Sequence, residues 1–237
     1  MDNIDIEDII THKISDLMIT DDSALIEDIL QILTELDSNF INKKFDYFYK
    51  KDIKSPQQTL SIAFLPPNIM HLIGIKSYSI QQPITSGTSK TPSYSREFYA
   101  DFRNGCLDFD KCWVESLNKV TDKLNALKHL PEIITENVRI GGSGDYMKLT
   151  FSNLLRTNRA ILGIAITKSD SEYSVPISTL NLITDKRARE HTAFTQAVCC
   201  SKLRISNRLD SGLWQVQETI SFIKNTTNKK KRQKKKK

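Results

Sequence analysis

The run Ala160-Ile161-Leu162-Gly163-Ile164-Ala165-Ile166 carries no polar side chain. A strand turns successive residues to opposite faces, so such a run is stable only when both faces are covered. The chain must therefore build a sheet with packing on both sides, and this segment predicts its centre. Other strand patterns surround it. Leu60, Ile62 and Phe64 alternate with Thr59, Ser61 and Ala63, which predicts a half-buried strand over 59–65. Pro66-Pro67 stop it, and a short helical turn is expected over 68–73 before Gly74. Val138 and Ile140 alternate ahead of Gly141-Gly142-Ser143-Gly144, which reads as a hairpin turn into a strand over 146–151. Tyr173–Ser178 predicts a strand that Pro176 marks as an edge or a bulge, with Ser174 and Ser178 on one face, and a last strand is expected at 194–204.

Helical periods come first in the chain. Leu25, Ile29, Leu33, Leu36 and Phe40 recur at three- and four-residue steps, predicting an amphipathic helix over 21–41, with a shorter one over 5–18. Phe109, Trp113, Leu117, Val120, Leu124, Leu127 and Leu130 predict a long core helix over 109–130, ended by Pro131. The polar, Pro- and Gly-punctuated stretch 81–95 reads as a loop. Helices followed by hairpin-linked strands are the α+β signature, and the expectation is N-terminal helices packed on a roughly four-stranded antiparallel sheet. Three parts are expected: an acidic helical segment at 1–44, a main domain at 45–208, and a C-terminal helix or extension with a Lys-rich tail at 209–237.

Charge is segregated along the chain. Residues 1–37 hold eleven acids and one base, Lys13, whereas Lys229-Lys230-Lys231-Arg232-Gln233-Lys234-Lys235-Lys236-Lys237 holds eight cations in nine residues. The total is +6, so the body between them is positive without help from the tail. A polyanionic ligand suits such a body. No apolar run reaches the roughly 18–20 residues of a membrane span. The acidic start Met1-Asp2-Asn3-Ile4-Asp5 does not have the pattern of a signal peptide, and the expected location is the cytoplasm. Cys106, Cys112, Cys199 and Cys200 have no zinc-site spacing and read as small packed thiols, so no metal and no cofactor is expected.

The chemistry-bearing residues are cationic and hydroxylic. The Gly-rich run lacks the Lys-Ser/Thr of a phosphate-binding loop, and the acids that a two-metal site needs sit in the front helices rather than on the strands. Lys148 is flanked at two residues by Tyr146 and Thr150, Arg139 lies on the preceding strand, Ser178 on a later one, and His71 at the end of the first strand region. Such a set suits metal-free RNA cleavage, which needs a base for the ribose 2′-proton, cations against the growing phosphorane charge, and an acid for the leaving oxygen. The duller readings are a solvated lysine, a structural ion pair for Arg139 and a buried, hydrogen-bonded histidine.

The segment Ser61–Gly74, ending His71-Leu72-Ile73-Gly74, resembles the strand and "H-L-x-G" motif of the phage Barnase–EndoU–Colicin–RelE-like nucleases, fourth subgroup. Phe98-Tyr99, the long helix, Arg139-Ile140-Gly141 to Lys148, Ile161-Leu162-Gly163-Ile164 and Val175-Pro176-Ile177-Ser178 follow in the family's order, over residues 45–205. The resemblance implies a compact α+β fold and metal-independent RNA cleavage on an open sheet face. It carries His71, Lys148 and Ser178, and more weakly Arg139, as catalytic residues. Tyr146, Thr150 and the tail residues Lys229, Lys230, Lys231 and Arg232 are the expected substrate contacts. RNA is the expected partner, with a cognate antitoxin or immunity protein if the chain acts as a phage-associated toxin or anti-phage effector. The competing expectation is a non-catalytic module on the same fold that binds nucleic acid or protein.

Overall fold

A computed structural model describes residues 11–17, 23–80, 94–146, 149–185, 187 and 190–222. The expected loop at 81–95 falls largely outside them, as do half of the helix expected at 5–18, whose described half is helical only over Ile14–Leu17, and the whole lysine tail. The fold differs from a four-stranded sheet under helices. It is mostly β, built on a closed seven-stranded barrel.

Strand β2 (Lys43–Tyr49) pairs antiparallel with β3 (Gln58–Phe64), and β3 meets β11 (Ser174–Asn181) in parallel at Ile62 and Ser174. Strand β11 pairs with β10 (Leu162–Lys168), β10 with β9 (Asn153–Thr157), and β9 with β6 (Val138–Gly141). The long strand β12 (Val198–Arg208) then closes the ring. Its first residues pair with β6, and residues 200–207 pair with β2. A final strand, β13 (Trp214–Ser221), lies on the outer edge of β12 as the eighth strand of the sheet. Closure gives each of the seven ring strands a neighbour on both sides, which limits the liability of unpaired N–H and C=O groups, although β3 and β11 share a single registered pair.

Alternation decides what faces inward. Phe45 and Tyr47 of β2, Leu60, Ile62 and Phe64 of β3, Leu162, Ile164 and Ile166 of β10, and Leu203 of β12 are all buried in one core. The apolar run that predicted a central strand is β10, and Leu162–Ile166 are buried on both faces, with Ala165 in a second, smaller cluster.

Helix α1 (Ile14–Leu17) follows the short strand β1 (His12–Lys13). Helix α2 (Ser23–Asn39) buries Ile29, Ile32, Leu33 and Leu36, as its period predicts. Part of its acidic face is paired: Tyr99 and Arg103 of α4 (Ser95–Arg103) both donate to Asp37, and Lys128 reaches Asp28 at 2.9 Å. Helix α3 (Pro66–Leu72) leads into β4 (Ile75–Tyr78). The long helix expected over 109–130 is three elements. A 3-10 turn at Phe109–Lys111, capped by Asp108, precedes strand β5 (Cys112–Val114), and α5 covers Leu117–Leu127. Strand β5 is held between β1 and β4, and Trp113 Nε1 donates to Ser79 O at 2.8 Å, so the indole is a packing element.

Strands β7 (Gly144–Tyr146) and β8 (Leu149–Phe151) form a separate hairpin with Tyr146 opposite Leu149. The glycines before it serve packing. A Cβ on Gly141 would lie 2.2 Å from the Ala193 carbonyl, and one on Gly144 would lie 2.7 Å from the His191 ring. They let helix α6 (Thr192–Thr195) and its cap His191 close onto this end of the barrel.

Candidate active site

The segment His71-Leu72-Ile73-Gly74 closes α3. Pro66 and Pro67 open that helix, where a missing N–H costs nothing, and Asn68 Oδ1 accepts the Leu65 N–H at 3.0 Å. Leu72 is buried, while His71 in the last turn remains half-exposed. Gly74 has φ +96°, and a Cβ there would meet Lys123 Cδ at 3.3 Å and Val120 Cα at 3.4 Å. The glycine thus permits the turn into β4 and the close approach of α5.

Helix α5 brings the central group. Ser116 Oγ accepts the Lys119 N–H at 3.3 Å and caps the helix. Val120, Leu124 and Leu127 are buried, and Lys123 lies three residues after the first and four before the last, on that same stripe. Its Nζ donates to the His71 carbonyl at 2.8 Å and to Ser178 Oγ at 3.2 Å. Burial, helped by the charge of Lys76, pushes the Lys123 ammonium down to about 8, against a smaller opposing pull from Glu115. Glu115 sits between two further lysines, 3.6 Å from Lys76 Nζ and hydrogen-bonded to Lys119. Burial raises the Glu115 carboxyl, but these lysines outweigh it and hold the group below its ordinary range. The His71 imidazole is also lowered, by burial first and then by the charges of Lys123 and Lys76, against an opposing pull from the Ile75 backbone. At neutral pH it is a neutral base.

Ser178 reaches this site because β11 is bulged. Ile166 opposes Pro176, but Ala165 opposes Ser178, so Ile177 is the extra residue. Ser174 lies opposite Lys168, on the Ile166 face, whereas Ser178 lies on the Ala165 face. The two serines therefore point to opposite sides of the sheet. Pro176 marks a bulge in a strand that has neighbours on both sides.

The structure brings His71 and Ser178 together through Lys123. Lys148 lies outside the described residues, as do Lys229, Lys230, Lys231 and Arg232. Arg139 donates to the carbonyls of Glu136 and Val138, both at 3.0 Å, and lies opposite Arg156 and Cys199. Tyr146 and Thr150 belong to the β7–β8 hairpin and face opposite sides of it. Tyr146 is buried, with its hydroxyl donating to Asp185 at 2.5 Å, and Thr150 donates to Asp145 at 2.6 Å. Lys123 is not among the residues that the sequence motifs single out. Its signal was a cation on the buried stripe of an amphipathic helix. Among the described residues, no three His, Cys, Asp or Glu side chains converge closely enough to hold a metal ion.

A neutral imidazole, a half-buried amine lowered to about 8 and a hydroxyl, with further lysines nearby, suit acid–base chemistry on a phosphate ester. That is the equipment of a nuclease. The chain belongs to the family described as phage-Barnase-EndoU-ColicinE5/D-RelE like nuclease 4, whose sequence pattern matches residues 28–198. Its substrate is accordingly a nucleic acid. No curated protein and no solved structure gives a match to the chain. Among the described residues, no helix is long and apolar enough to cross a membrane.

Proposed function

We propose that this site cleaves RNA without a metal ion, by attack of a ribose 2′-hydroxyl on the adjacent phosphate. The neutral His71 imidazole takes the 2′-proton as the O2′–P bond forms. The Lys123 ammonium stabilises the charge that grows on the phosphorane and passes a proton to O5′ as the P–O5′ bond breaks. Ser178, already bonded to Lys123, holds a non-bridging oxygen in line. The products are a 2′,3′-cyclic phosphate and a 5′-hydroxyl. The observation that carries the reading is the half-buried Lys123, whose amine bonds both the His71 carbonyl and Ser178. In this reading, the cationic tail that includes Lys229, Lys230, Lys231 and Arg232 adds non-specific affinity for phosphates.

The test is digestion of a defined RNA in excess EDTA, with end groups read by mass spectrometry. Cyclic phosphate ends are expected, and a 2′-O-methyl group at the scissile nucleotide should block cutting there. His71→Ala and Lys123→Met should each slow cleavage by about 100-fold or more. Cleavage that stops in EDTA, or proceeds at full rate in His71→Ala, overturns the mechanism. A folded protein that binds RNA without turnover would instead be the accessory module. A role as a cytoplasmic toxin or anti-phage effector with a cognate antitoxin belongs to the same proposal. Growth arrest on expression of the wild type, absent with His71→Ala, is its expected sign.

A further inference from the structure

The outer face of β2, β12 and β13 carries side chains that the site at His71 does not use. Register places them together. Lys44, Asp46 and Phe48 of β2 lie opposite Ser206, Arg204 and Lys202 of β12, on the face away from Phe45 and Tyr47. Trp214 of β13 lies opposite Arg208 on that same face. The cations Lys44, Lys202, Arg204 and Arg208 are thus gathered on one face of these strands, where Asp46 is the one acid among the described residues of β2, β12 and β13 that the register places with them. That acid is 1% exposed and spent on Arg204, which it holds at 2.7 and 2.8 Å. An ordinary solvated face mixes both signs; this one leaves an excess of about three positive charges.

Aromatic rings interleave with the cations and fix them. Lys202 Nζ lies 5.1 Å and the Arg204 guanidinium 5.5 Å from the Phe48 ring centre, and Lys44 Nζ lies 5.5 Å from the Trp214 ring. The Tyr173 ring meets Trp214 edge to face at 5.7 Å, so aromatic surface continues to the start of β11. Ser174 is the partner of Ile62 in the core, and the bulge at Ile177 turns Ser178 to the opposite side. Ser178 therefore shares the outer face of the sheet with Lys44, whose own partner is Ala63.

We infer that this face is a platform for single-stranded nucleic acid, with phosphates on the lysines and Arg208 and bases on Trp214 and the Arg204 guanidinium. Flat rings and guanidinium planes beside fixed cations are what an unpaired strand requires, because its bases are free to stack and its backbone is charged throughout. A duplex hides its bases and gains only the charge. The inference rests on the reading above only for the polymer's class.

The test uses the full chain and a fluorescent 2′-O-methyl oligouridine of about twelve nucleotides, a length within the site sizes of known platforms. Lacking a 2′-hydroxyl, the probe reports binding whether or not the site at His71 cleaves. Anisotropy titrations across a salt series give the slope of log affinity against log salt. The triple variant Lys44→Ala/Lys202→Ala/Arg208→Ala should flatten that slope by about two, at about 0.7 per lost phosphate contact. Removing the same charge elsewhere, with Lys54→Ala/Arg96→Ala/Arg159→Ala, should leave it in place. Trp214→Ala should weaken binding by about fivefold or more, and Trp214→Phe should retain most of it. An unchanged slope in the platform triple, an equal loss in the control triple, or a duplex of the same length that competes as well as the single strand overturns the inference. If the platform variants behave as expected while the wild type leaves an unmodified RNA intact, the cleavage proposal falls and the platform stands.

Discussion

Replacing Lys123 by methionine should make the protein more stable at neutral pH while disabling it. The ammonium has been pushed from 10.5 to about 8, chiefly by burial. At about 1.4 kcal/mol per unit, holding that charge inside the folded protein costs roughly 3 kcal/mol. Methionine keeps most of the volume and carries no charge. It forfeits the hydrogen bonds to the His71 carbonyl and Ser178, worth about 1 kcal/mol each. The expected net gain at pH 7 is about 1 kcal/mol. Below pH 8 the amine is protonated in folded and unfolded chains alike, and the wild type bears the full cost. Between pH 8 and 10.5 the folded chain releases the proton first, so wild-type stability rises relative to the variant. Above 10.5 the cost is gone, and only the lost hydrogen bonds remain. The variant should then be the less stable by about 2 kcal/mol. Urea unfolding of both proteins across this pH range measures the crossing. A variant less stable at pH 7, by the same margin as at high pH, would refute the claim that Lys123 is held charged at a cost.

Other consequences are more local. Cleavage rate against pH should be bell-shaped, with an acid limb below 6.5 from His71 and an alkaline limb near 8 from Lys123; the alkaline limb should vanish in Lys123→Met. Gly74→Ala should cost about 1–2 kcal/mol, since its φ disfavours a side chain, and should slow cleavage by displacing the Lys123 stem, both read from urea curves and initial rates. Ser178→Ala should lower cleavage about tenfold yet change stability by about 1 kcal/mol or less, because the bond from Lys123 can be replaced by water and the one to the Thr179 carbonyl is long, at 3.5 Å. Gly141→Ala should destabilise by about 2–3 kcal/mol in thermal unfolding, because its Cβ cannot share space with the Ala193 carbonyl without moving backbone.

What could be read from the sequence was local. The stripe of α2, the alternation of β3 and the unbroken apolar run of β10 each record their own burial, and each forms where the pattern places it. Barrel closure leaves no such mark. Strand β12 finds β2 across some 150 residues of chain, and a pairing at that separation has no period to detect. The 109–116 region misled for a related reason. Phe109, Trp113 and Leu117 fit a helical step, but Trp113 belongs to a strand pinned between β1 and β4, and the helix starts only at its cap, Ser116. At the site, His71 was visible in its motif and Ser178 in the strand pattern. Lys123 carries no such mark, because a lysine in a helix is usually solvated. Its place among Val120, Leu124 and Leu127 was the clue, and only the packing of α3 and β11 against it gave that clue a meaning.

The closing role of β12 also sets a timetable for synthesis. Until Val198–Arg208 have been made, β2 and β6 each present a bare rim of unpaired amides and carbonyls, although His71, Lys123 and Ser178 have long since been translated. A growing chain that stalls before this point would hold all three residues of the proposed site on an unfinished hoop, open to sticking and to proteolysis. Competence therefore arrives late and all at once, when the last stave drops in.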